Sequence, residues 1–160
     1  SIGGAFTLTD QHGKTVKDTD FRGKVMLVFF GFTHCPDICP VTVSTLSKAM
    51  EALGDKADQV APVFITVDPG RDTPAVLADY LANFDKRIVG LTGDAASIKR
   101  IADAYKVYFA EAAHHENTHM VDHSAILYMM GKDGAFLTHF SYDAPAADIV
   151  SAVQEYLAKP

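Results

Sequence analysis

The positions of the apolar residues divide the chain into alternating strands and helices. Val25–Phe30 is an unbroken apolar run and Val63–Val67 is a second, a pattern typical of strands that are covered on both faces. Phe6–Thr9 and Ile88–Leu91 predict two shorter strands. Strands separated by helical segments predict an α/β fold in which helices flank a mixed central sheet.

Four segments carry apolar residues at the three- and four-residue spacing of a helix. The first follows Pro40 and is expected to end at Gly54. The second has Thr73 as its N-cap and Pro74 as its first residue, a combination that favours helix initiation. The last two are marked by Ile98, Ile101, Ala102 and Tyr105, and by Ile149, Val153, Tyr156 and Leu157.

A β-hairpin is predicted in the last third of the chain. Its strands are Ser124–Met130 and Phe136–Tyr142, and Lys132-Asp133-Gly134 supplies the turn residues between them. The segment before the hairpin, Val107–Asp122, begins like a strand and becomes a polar loop that carries histidines. The hairpin therefore adds two strands to the sheet.

Composition indicates one soluble globular domain. The chain has 160 residues, of which 48% are hydrophobic and 21% charged, and no repeat or linker divides it. We therefore predict a single domain over residues 1–160. The 14 basic and 20 acidic side chains give a net charge of −6, which provides no sequence-wide attraction for nucleic acid or for an anionic membrane.

The longest apolar stretch, Val25–Phe32, contains eight residues. A transmembrane helix needs about 20, so no span is expected within the chain. No positively charged leader with an apolar core is visible at the start of the sequence, so no signal peptide is expected within it either. The abrupt start suits a soluble fragment cut from behind a leader or an anchor, so an extracytoplasmic location remains open.

The two cysteines, Cys35 and Cys39, are the most informative residues. They are the only cysteines in the chain, which excludes a scaffold built on several disulfides. Both follow the strand Val25–Phe30, and ligands of open α/β sheets collect beyond the carboxyl ends of strands. We expect the regular helix to begin at about Pro40, with Cys39 near its cap and Cys35 on the preceding turn. That helix N-terminus is expected to lower the thiol pKa.

Several chemistries remain open for this pair. Cysteines four positions apart on a regular helix have Cβ atoms about 5–6 Å apart, whereas a disulfide needs about 3.5–4.5 Å. An irregular turn could close that gap for a disulfide or hold it open around a metal ion. A thioredoxin-type redox pair has two intervening residues and this chain has three, which weakens that match without excluding it. Two buried cysteines can also serve as small hydrophobic residues.

Among the seven histidines, His123 is the candidate third ligand because it directly precedes the strand Ser124–Met130. If that strand runs antiparallel to Val25–Phe30, His123 lies at the same sheet edge as the cysteines. Two thiolates and one imidazole suit Cu(I), and they suit Cu(II) with an added ligand, whereas structural zinc usually takes four protein ligands.

The other histidines have simpler interpretations. His12 and His139 are expected to be structural, and His34 is at best an outer-shell residue. A solvated loop is the expected setting of the remaining three, His114, His115 and His119.

Three motifs in this order make a specific signature. The segment FRGKVMLVFFGFTHCPDICP carries the cysteines, VDPGRDTP covers residues 67–74, and VDHSA covers residues 121–125. With the opening GAFTL, they resemble the Sco/SenC copper proteins of cytochrome oxidase assembly over nearly the whole chain.

The resemblance implies a thioredoxin-like fold with an added β-hairpin and a copper site formed by Cys35, Cys39 and His123. It implies delivery of copper to the binuclear copper centre of cytochrome c oxidase subunit II. Proteins of this kind are held by an N-terminal anchor in the bacterial periplasm or, alternatively, in the mitochondrial intermembrane space. Other copper chaperones and a thioredoxin-like reductant are further expected partners.

Five more residues near these motifs have expected roles. Asp68 resembles the aspartate near the family's copper site, although a strand-end turn explains it about as well. Arg71 is expected to orient Asp68 or a partner carboxylate, and Asp122 to orient His123. Asp72 and Thr73 are expected to cap a helix.

The main hypothesis is a copper metallochaperone. Thioredoxins place a cis-proline before the strand that faces their cysteines, whereas this chain has His123 there, which favours metal handling over general disulfide reduction. The alternative is a thiol–disulfide oxidoreductase in which Cys35 and Cys39 are the catalytic redox pair and reduce the oxidase cysteines. A copper- or redox-sensing module is a third hypothesis.

Overall fold

The computed structural model describes residues 1–36, 38–107 and 125–160. Its strands are β1 (Thr7–Asp10), β2 (Thr15–Lys17), β3 (Val25–Gly31), β4 (Val60–Thr66), β5 (Val89–Thr92), β6 (Ile126–Met130) and β7 (Phe136–Ser141). Its α-helices are α1 (Ile38–Leu53), α2 (Pro74–Leu81), α3 (Ala95–Ala104) and α4 (Ala146–Leu157). Short 3₁₀ segments cover Asp18–Phe21 and Gly54–Gln59.

The described strands form one sheet of seven in the order β2-β1-β5-β4-β3-β6-β7. The three central strands β3, β4 and β5 are parallel. Antiparallel hairpins extend the sheet on both sides, β1–β2 beside β5 and β6–β7 beside β3. The predicted mixed α/β sheet is therefore confirmed.

Strand β3 is buried on both faces, which explains its unbroken apolar sequence. Val25, Leu27 and Phe29 belong to the hydrophobic core that also contains residues of α1, α2 and α4. The alternate residues belong to a second core that contains residues of α3. Burial of each such side chain contributes about 1.5–3 kcal/mol, so the strand that leads to the cysteines is rigidly held.

The helix boundaries follow local signals closely. Thr73 caps α2, since its Oγ1 accepts a hydrogen bond from the Val76 N–H at 3.3 Å, and Pro74 is the first helical residue, as predicted. Helix α1 ends at Leu53, and Gly54 follows with a φ of 57°. It begins at Ile38, however, two residues before the predicted start at Pro40.

Strand β2 was not predicted. Its three residues carry one buried side chain, Val16, between two exposed ones, and so short an alternation is a weak signal. None of the helices in the described part of the chain is long and apolar enough to cross a membrane.

Candidate metal centre

The cysteines lie where β3 gives way to α1. The chain leaves β3 at Gly31 and forms a turn in which the Cys35 N–H donates to the Phe32 carbonyl at 3.2 Å. Cys35 is 6% exposed and Cys39 1% exposed, and both pack into the core shared by β3, α1 and α4. Both are present as thiols. The structure thus brings two sulfur ligands together at the carboxyl end of a central parallel strand.

The first turn of α1 connects the two residues directly. The Cys39 backbone N–H donates to Cys35 Sγ at 3.4 Å. A backbone donor at a helix N-terminus favours negative charge on the atom that it faces. The helix N-terminus therefore acts on the sulfur of Cys35.

The pKa of the Cys39 thiol differs from the prediction. A side-chain hydrogen bond with Cys35 raises the pKa of the Cys39 thiol, and burial raises that pKa further. The prediction that the helix N-terminus lowers the thiol pKa is wrong for Cys39, because this residue lies inside the first turn of α1 and its side chain is buried in the core. A metal ion bound here must displace the thiol proton, which couples binding to proton release.

Gly31 makes room for the second sulfur. A Cβ at this position would lie 2.8 Å from Cys39 Sγ and 2.8 Å from Phe29 Cε2. The sulfur therefore packs against the bare backbone of β3. Sequence reasoning missed Gly31, although a glycine that ends a strand of bulky apolar residues is a signal for close approach.

Asp72 links the segment between β4 and α2 to the turn Phe32–Cys35, called here the cysteine turn, through hydrogen bonds. It accepts hydrogen bonds from the Thr33 N–H at 3.0 Å and from the Thr33 hydroxyl at 2.5 Å. The hydroxyl of Thr66, the last residue of β4, donates to it at 2.7 Å. The prediction that Asp72 caps a helix is wrong, because Thr73 takes that role and the Asp72 carboxyl is buried.

Asp68 and Arg71 lie on the neighbouring turn. Asp68 follows β4, its N–H donates to the Thr66 hydroxyl at 3.0 Å, and its side chain is half-buried. Arg71 Nε lies 3.4 Å from Asp68 Oδ2, and 67% of the Arg71 side chain is exposed. An exposed pair of this kind contributes about 0–1 kcal/mol to stability. Asp68 thus stands at the cysteine edge of the sheet and also forms the strand-end turn.

The predicted third ligand, His123, and its neighbour Asp122 lie outside the described residues, as do His114, His115 and His119. The strand direction on which the His123 prediction depends is confirmed, since β6 runs antiparallel to β3 and pairs Leu127 with Phe29. The described chain resumes at Ala125, which is 4% exposed and packs in the same core as the cysteines.

Within residues 1–36, 38–107 and 125–160, no group of three His, Cys, Asp or Glu side chains is arranged to hold a metal. His34, directly before Cys35, is exposed.

Tyr80 is a half-buried residue with a buried hydroxyl, and sequence reasoning treated it only as part of a helix face. Its ring packs against Phe64 and Phe84, with centroids 5.8 and 5.5 Å away. Its hydroxyl oxygen is buried and has no hydrogen-bond partner among the described residues. Burial raises the Tyr80 pKa, and the nearby Cys39 and Cys35 raise it further. The phenol is thus neutral and close to the sulfur pair.

Comparison with known proteins identifies the family. The SCO1/SenC family model matches residues 1–158. The chain belongs to the SCO1/SenC family. Its mixed sheet and flanking helices are the thioredoxin-like fold of that family, as predicted, and solved Sco structures superpose with TM-scores of 0.83 and 0.84.

Curated relatives come from bacteria and mitochondria. Protein sco1 of Schizosaccharomyces pombe is 42% identical over 159 residues, which cover 97% of this chain and 60% of that protein. The human mitochondrial SCO1 homolog is 34% identical over 159 residues, which cover 98% of this chain and 53% of that protein. The SCO2-like protein of Rickettsia felis is 39% identical over 151 residues, which cover 93% of this chain and 74% of that protein. The chain thus spans little more than half of some relatives.

Sco structures solved with copper bound match nearly the whole chain. Bradyrhizobium japonicum ScoI with copper is 38% identical, and the match covers 98% of this chain and 99% of that one. Yeast Sco1 with copper is 32% identical, and the match covers 100% and 94%. BsSco, in which a disulfide switch has been identified, is a member of the Sco family of cytochrome c oxidase assembly proteins. It has a TM-score of 0.82 at 26% identity and matches over 99% of this chain and 95% of that one.

Proposed function

We propose that residues 1–160 form one copper-binding domain that delivers copper to the binuclear copper centre of cytochrome c oxidase subunit II. The observation that carries the proposal is the pair of buried thiols, Cys35 and Cys39, at the carboxyl end of β3, where the Cys39 backbone N–H donates to Cys35 Sγ at 3.4 Å. Soft sulfur ligands of this kind favour copper. Copper bound to homologous Sco proteins supports the same assignment.

The third ligand in the proposal is His123. Position 123 precedes Ala125 by two residues, a length of chain that spans at most about 7 Å. Ala125 lies beside the carboxyl end of β3, because β6 pairs antiparallel to that strand. An imidazole from this position would complete a set of two sulfurs and one nitrogen, which suits Cu(I) and, with one more ligand, Cu(II).

Asp68, Arg71 and Asp122 are proposed as outer-shell or partner-binding residues. Support for Asp68 and Arg71 is their place on the turn after β4, next to the strand that ends at the cysteines, and the exposure of the Arg71 guanidinium. Asp122 is proposed from its motif alone. A partially exposed carboxylate and an exposed cation offer a polar rim to a partner, where charge steers association more than it adds affinity.

The proposed setting is the extracytoplasmic face of a membrane, with the bacterial periplasm favoured and the mitochondrial intermembrane space as the alternative. Bacterial and mitochondrial relatives of the chain support these two compartments. An N-terminal anchor, other copper chaperones and a thioredoxin-like reductant belong to the same proposal.

The second candidate function is thiol–disulfide exchange. Cys35 and Cys39 would be oxidised to one disulfide while a disulfide of the oxidase subunit is reduced to two thiols. The proximity of the two residues across the first turn of α1 favours this chemistry, and so does the disulfide switch of BsSco. Both candidates use the same pair of residues, so only the fate of metal and thiols distinguishes them.

The deciding experiment mixes copper-loaded protein with a metal-free soluble fragment of oxidase subunit II, prepared once with reduced cysteines as copper acceptor and once with a disulfide as electron acceptor, and follows metal and thiols together. Copper transfer with Cys35 and Cys39 still reduced supports the chaperone. Disulfide formation in this chain without copper movement supports the reductase and overturns the chaperone. His139→Ala, an exposed change on β7, provides a matched control that should transfer copper as the wild type does.

A further inference from the structure

Asp72 is an acidic side chain with no exposed surface. No basic side chain in the described part of the chain forms an ion pair with it. A buried carboxyl without a countercharge is costly unless hydrogen bonds compensate it. The burial of the Asp72 carboxyl therefore has to be compensated by its hydrogen bonds.

The hydrogen bonds around Asp72 provide that compensation. Of the three donors to Asp72 among the described residues, two belong to Thr33, one from the backbone at 3.0 Å and one from the side chain at 2.5 Å. Thr33 lies inside the turn that the Cys35 N–H closes on Phe32. Because Thr33 is held by both its backbone and its side chain, the turn that carries Cys35 is fixed at its second residue.

The other end of the link is the rigid centre of the sheet. The third donor, the Thr66 hydroxyl at 2.7 Å, belongs to the last residue of β4. Thr66 pairs in register with Gly31, the last residue of β3, and the Val67 N–H donates to the Gly31 carbonyl at 2.8 Å. Asp72 thus connects the cysteine turn to the ends of two paired central strands.

We propose that Asp72 is a positioning residue of the copper site: its carboxyl fixes Thr33 and thereby holds the Cys35 sulfur in place relative to Cys39. The inference rests on the proposed copper-binding function for its main measurement. Helix capping does not account for Asp72, because Thr73 caps α2. Outer-shell partners of metal ligands typically contribute 10–100-fold to metal affinity.

The first test is Asp72→Asn. An amide of the same shape has one acceptor oxygen where the carboxyl has two, so all three bonds persist only if the Thr33 hydroxyl reverses and accepts from the amide N–H, which changes how Thr33 is held. We expect the Cu(I) dissociation constant, measured by competition with a chromophoric Cu(I) chelator, to rise about 10–100-fold. We also expect the visible absorption bands of the Cu(II) form to shift or broaden, because the Cys35 sulfur is less well held.

Thr33 offers a matched pair of variants. Thr33→Val keeps the shape of the side chain and loses the hydroxyl, whereas Thr33→Ser keeps the hydroxyl. We expect Thr33→Val to weaken copper binding, as Asp72→Asn does. We expect Thr33→Ser to bind copper as the wild type does, because it keeps the hydroxyl. The double variant of Thr33→Val and Asp72→Asn should be less impaired than the sum of the two single changes, because both alter the same contact between the side chains of residues 33 and 72.

Asp85→Asn is the control for a general loss of stability. It breaks the 2.8 Å pair with Arg87 on the turn between α2 and β5. If Asp72→Asn and Thr33→Val lower the unfolding midpoint as Asp85→Asn does but leave copper affinity and spectrum unchanged, Asp72 has only a structural role and the proposal is overturned. If Asp72→Asn does not fold, the comparison of Thr33→Val with Thr33→Ser decides.

Failure of the proposed function is distinguishable from failure of this inference. If the wild type binds no copper, the copper function fails, and the position of Cys35 is measured by the thiol–disulfide equilibrium of Cys35 and Cys39 in glutathione buffers. We then expect Thr33→Val to shift that equilibrium at least tenfold, or about 30 mV, while Thr33→Ser does not. An unchanged equilibrium in both variants overturns the positioning role.

Discussion

The sulfur of Cys39 packs on the α-carbon of Gly31, so closely that an added Cβ would lie 2.8 Å from it. The last residue of a central strand and the first turn of the following helix are therefore in direct contact at the proposed copper site. Because the strand is buried on both faces, its end cannot shift to accommodate a larger side chain.

Gly31→Ala should therefore damage both the fold and the site. Overpacking at a close contact typically costs about 1–3 kcal/mol of unfolding free energy, and the displaced Cys39 sulfur should weaken Cu(I) binding. Urea unfolding and chelator competition measure the two effects. Gly70→Ala is the control, since its added Cβ meets no atom within 4 Å in the part of the chain that the structure describes. Equal behaviour of the two variants would contradict the contact.

Replacement of the three proposed copper ligands should remove copper. We expect one copper per wild-type chain and its loss in Cys35→Ser, Cys39→Ser and His123→Ala, measured by metal analysis after desalting. His139→Ala should retain copper. Stoichiometric copper in the His123→Ala protein would reject this ligand set. If the protein is instead a reductase, His123→Ala should keep activity that either cysteine change abolishes.

Tyr80→Phe should leave stability unchanged or raise it by up to about 1 kcal/mol, because it removes a buried hydroxyl that has no hydrogen-bond partner among the described residues. Tyr156→Phe is the contrasting variant, since its hydroxyl accepts a hydrogen bond from the Lys132 N–H at 3.0 Å. Loss of that bond should cost about 1 kcal/mol. Thermal and urea unfolding of both variants test the difference, and an equal loss in both would show that the Tyr80 hydroxyl has a partner.

Alkaline pH should destabilise the fold through two buried tyrosines. Burial raises the pKa of Tyr105 and of Tyr128 from an ordinary 10.0 to about 12, where the two rings pack together at 5.3 Å. Above pH 10 the unfolded chain ionises these phenols and the folded chain does not. The stability that they contribute is therefore complete below pH 10 and is lost as the pH rises to 12, on the order of 2 kcal/mol for each tyrosine.

Urea unfolding between pH 9 and pH 12 measures this loss. Other groups that ionise in this range act on wild type and variant alike, so the difference between wild type and Tyr128→Phe isolates one phenol. The variant should lose less stability over the interval. Parallel curves for the two proteins would contradict a raised pKa at Tyr128.

Local patterns in the sequence determined much of the architecture. The apolar run at Val25–Phe30 predicted a doubly buried strand, and Thr73-Pro74 predicted the start of α2. The place of the two cysteines after that strand also followed from order along the chain. These features depend on neighbouring residues, whose backbone preferences and burial patterns act within one element.

Other features were decided by contacts between distant parts of the chain. Aspartate is a residue type that often caps helices, which is why the sequence suggested that role for Asp72. Its buried carboxyl instead accepts a hydrogen bond from Thr33, 39 positions away in the chain. A proline lacks the N–H that a central strand needs, so Pro62 by itself argues against a central strand. It nevertheless lies in the central strand β4, where it pairs with Leu27 of β3. The pairing of β4 with β5 begins only at the next residue, Val63.

The chemistry of the cysteines shows the same division. Their spacing and their place after β3 were available from the sequence, and with the motifs around them indicated the SCO1/SenC family. The raised pKa of Cys39 and the space left by Gly31 were decided by tertiary packing. Sequence order assigns residues to a sheet edge, but pKa and free space depend on which groups from other elements pack around each atom.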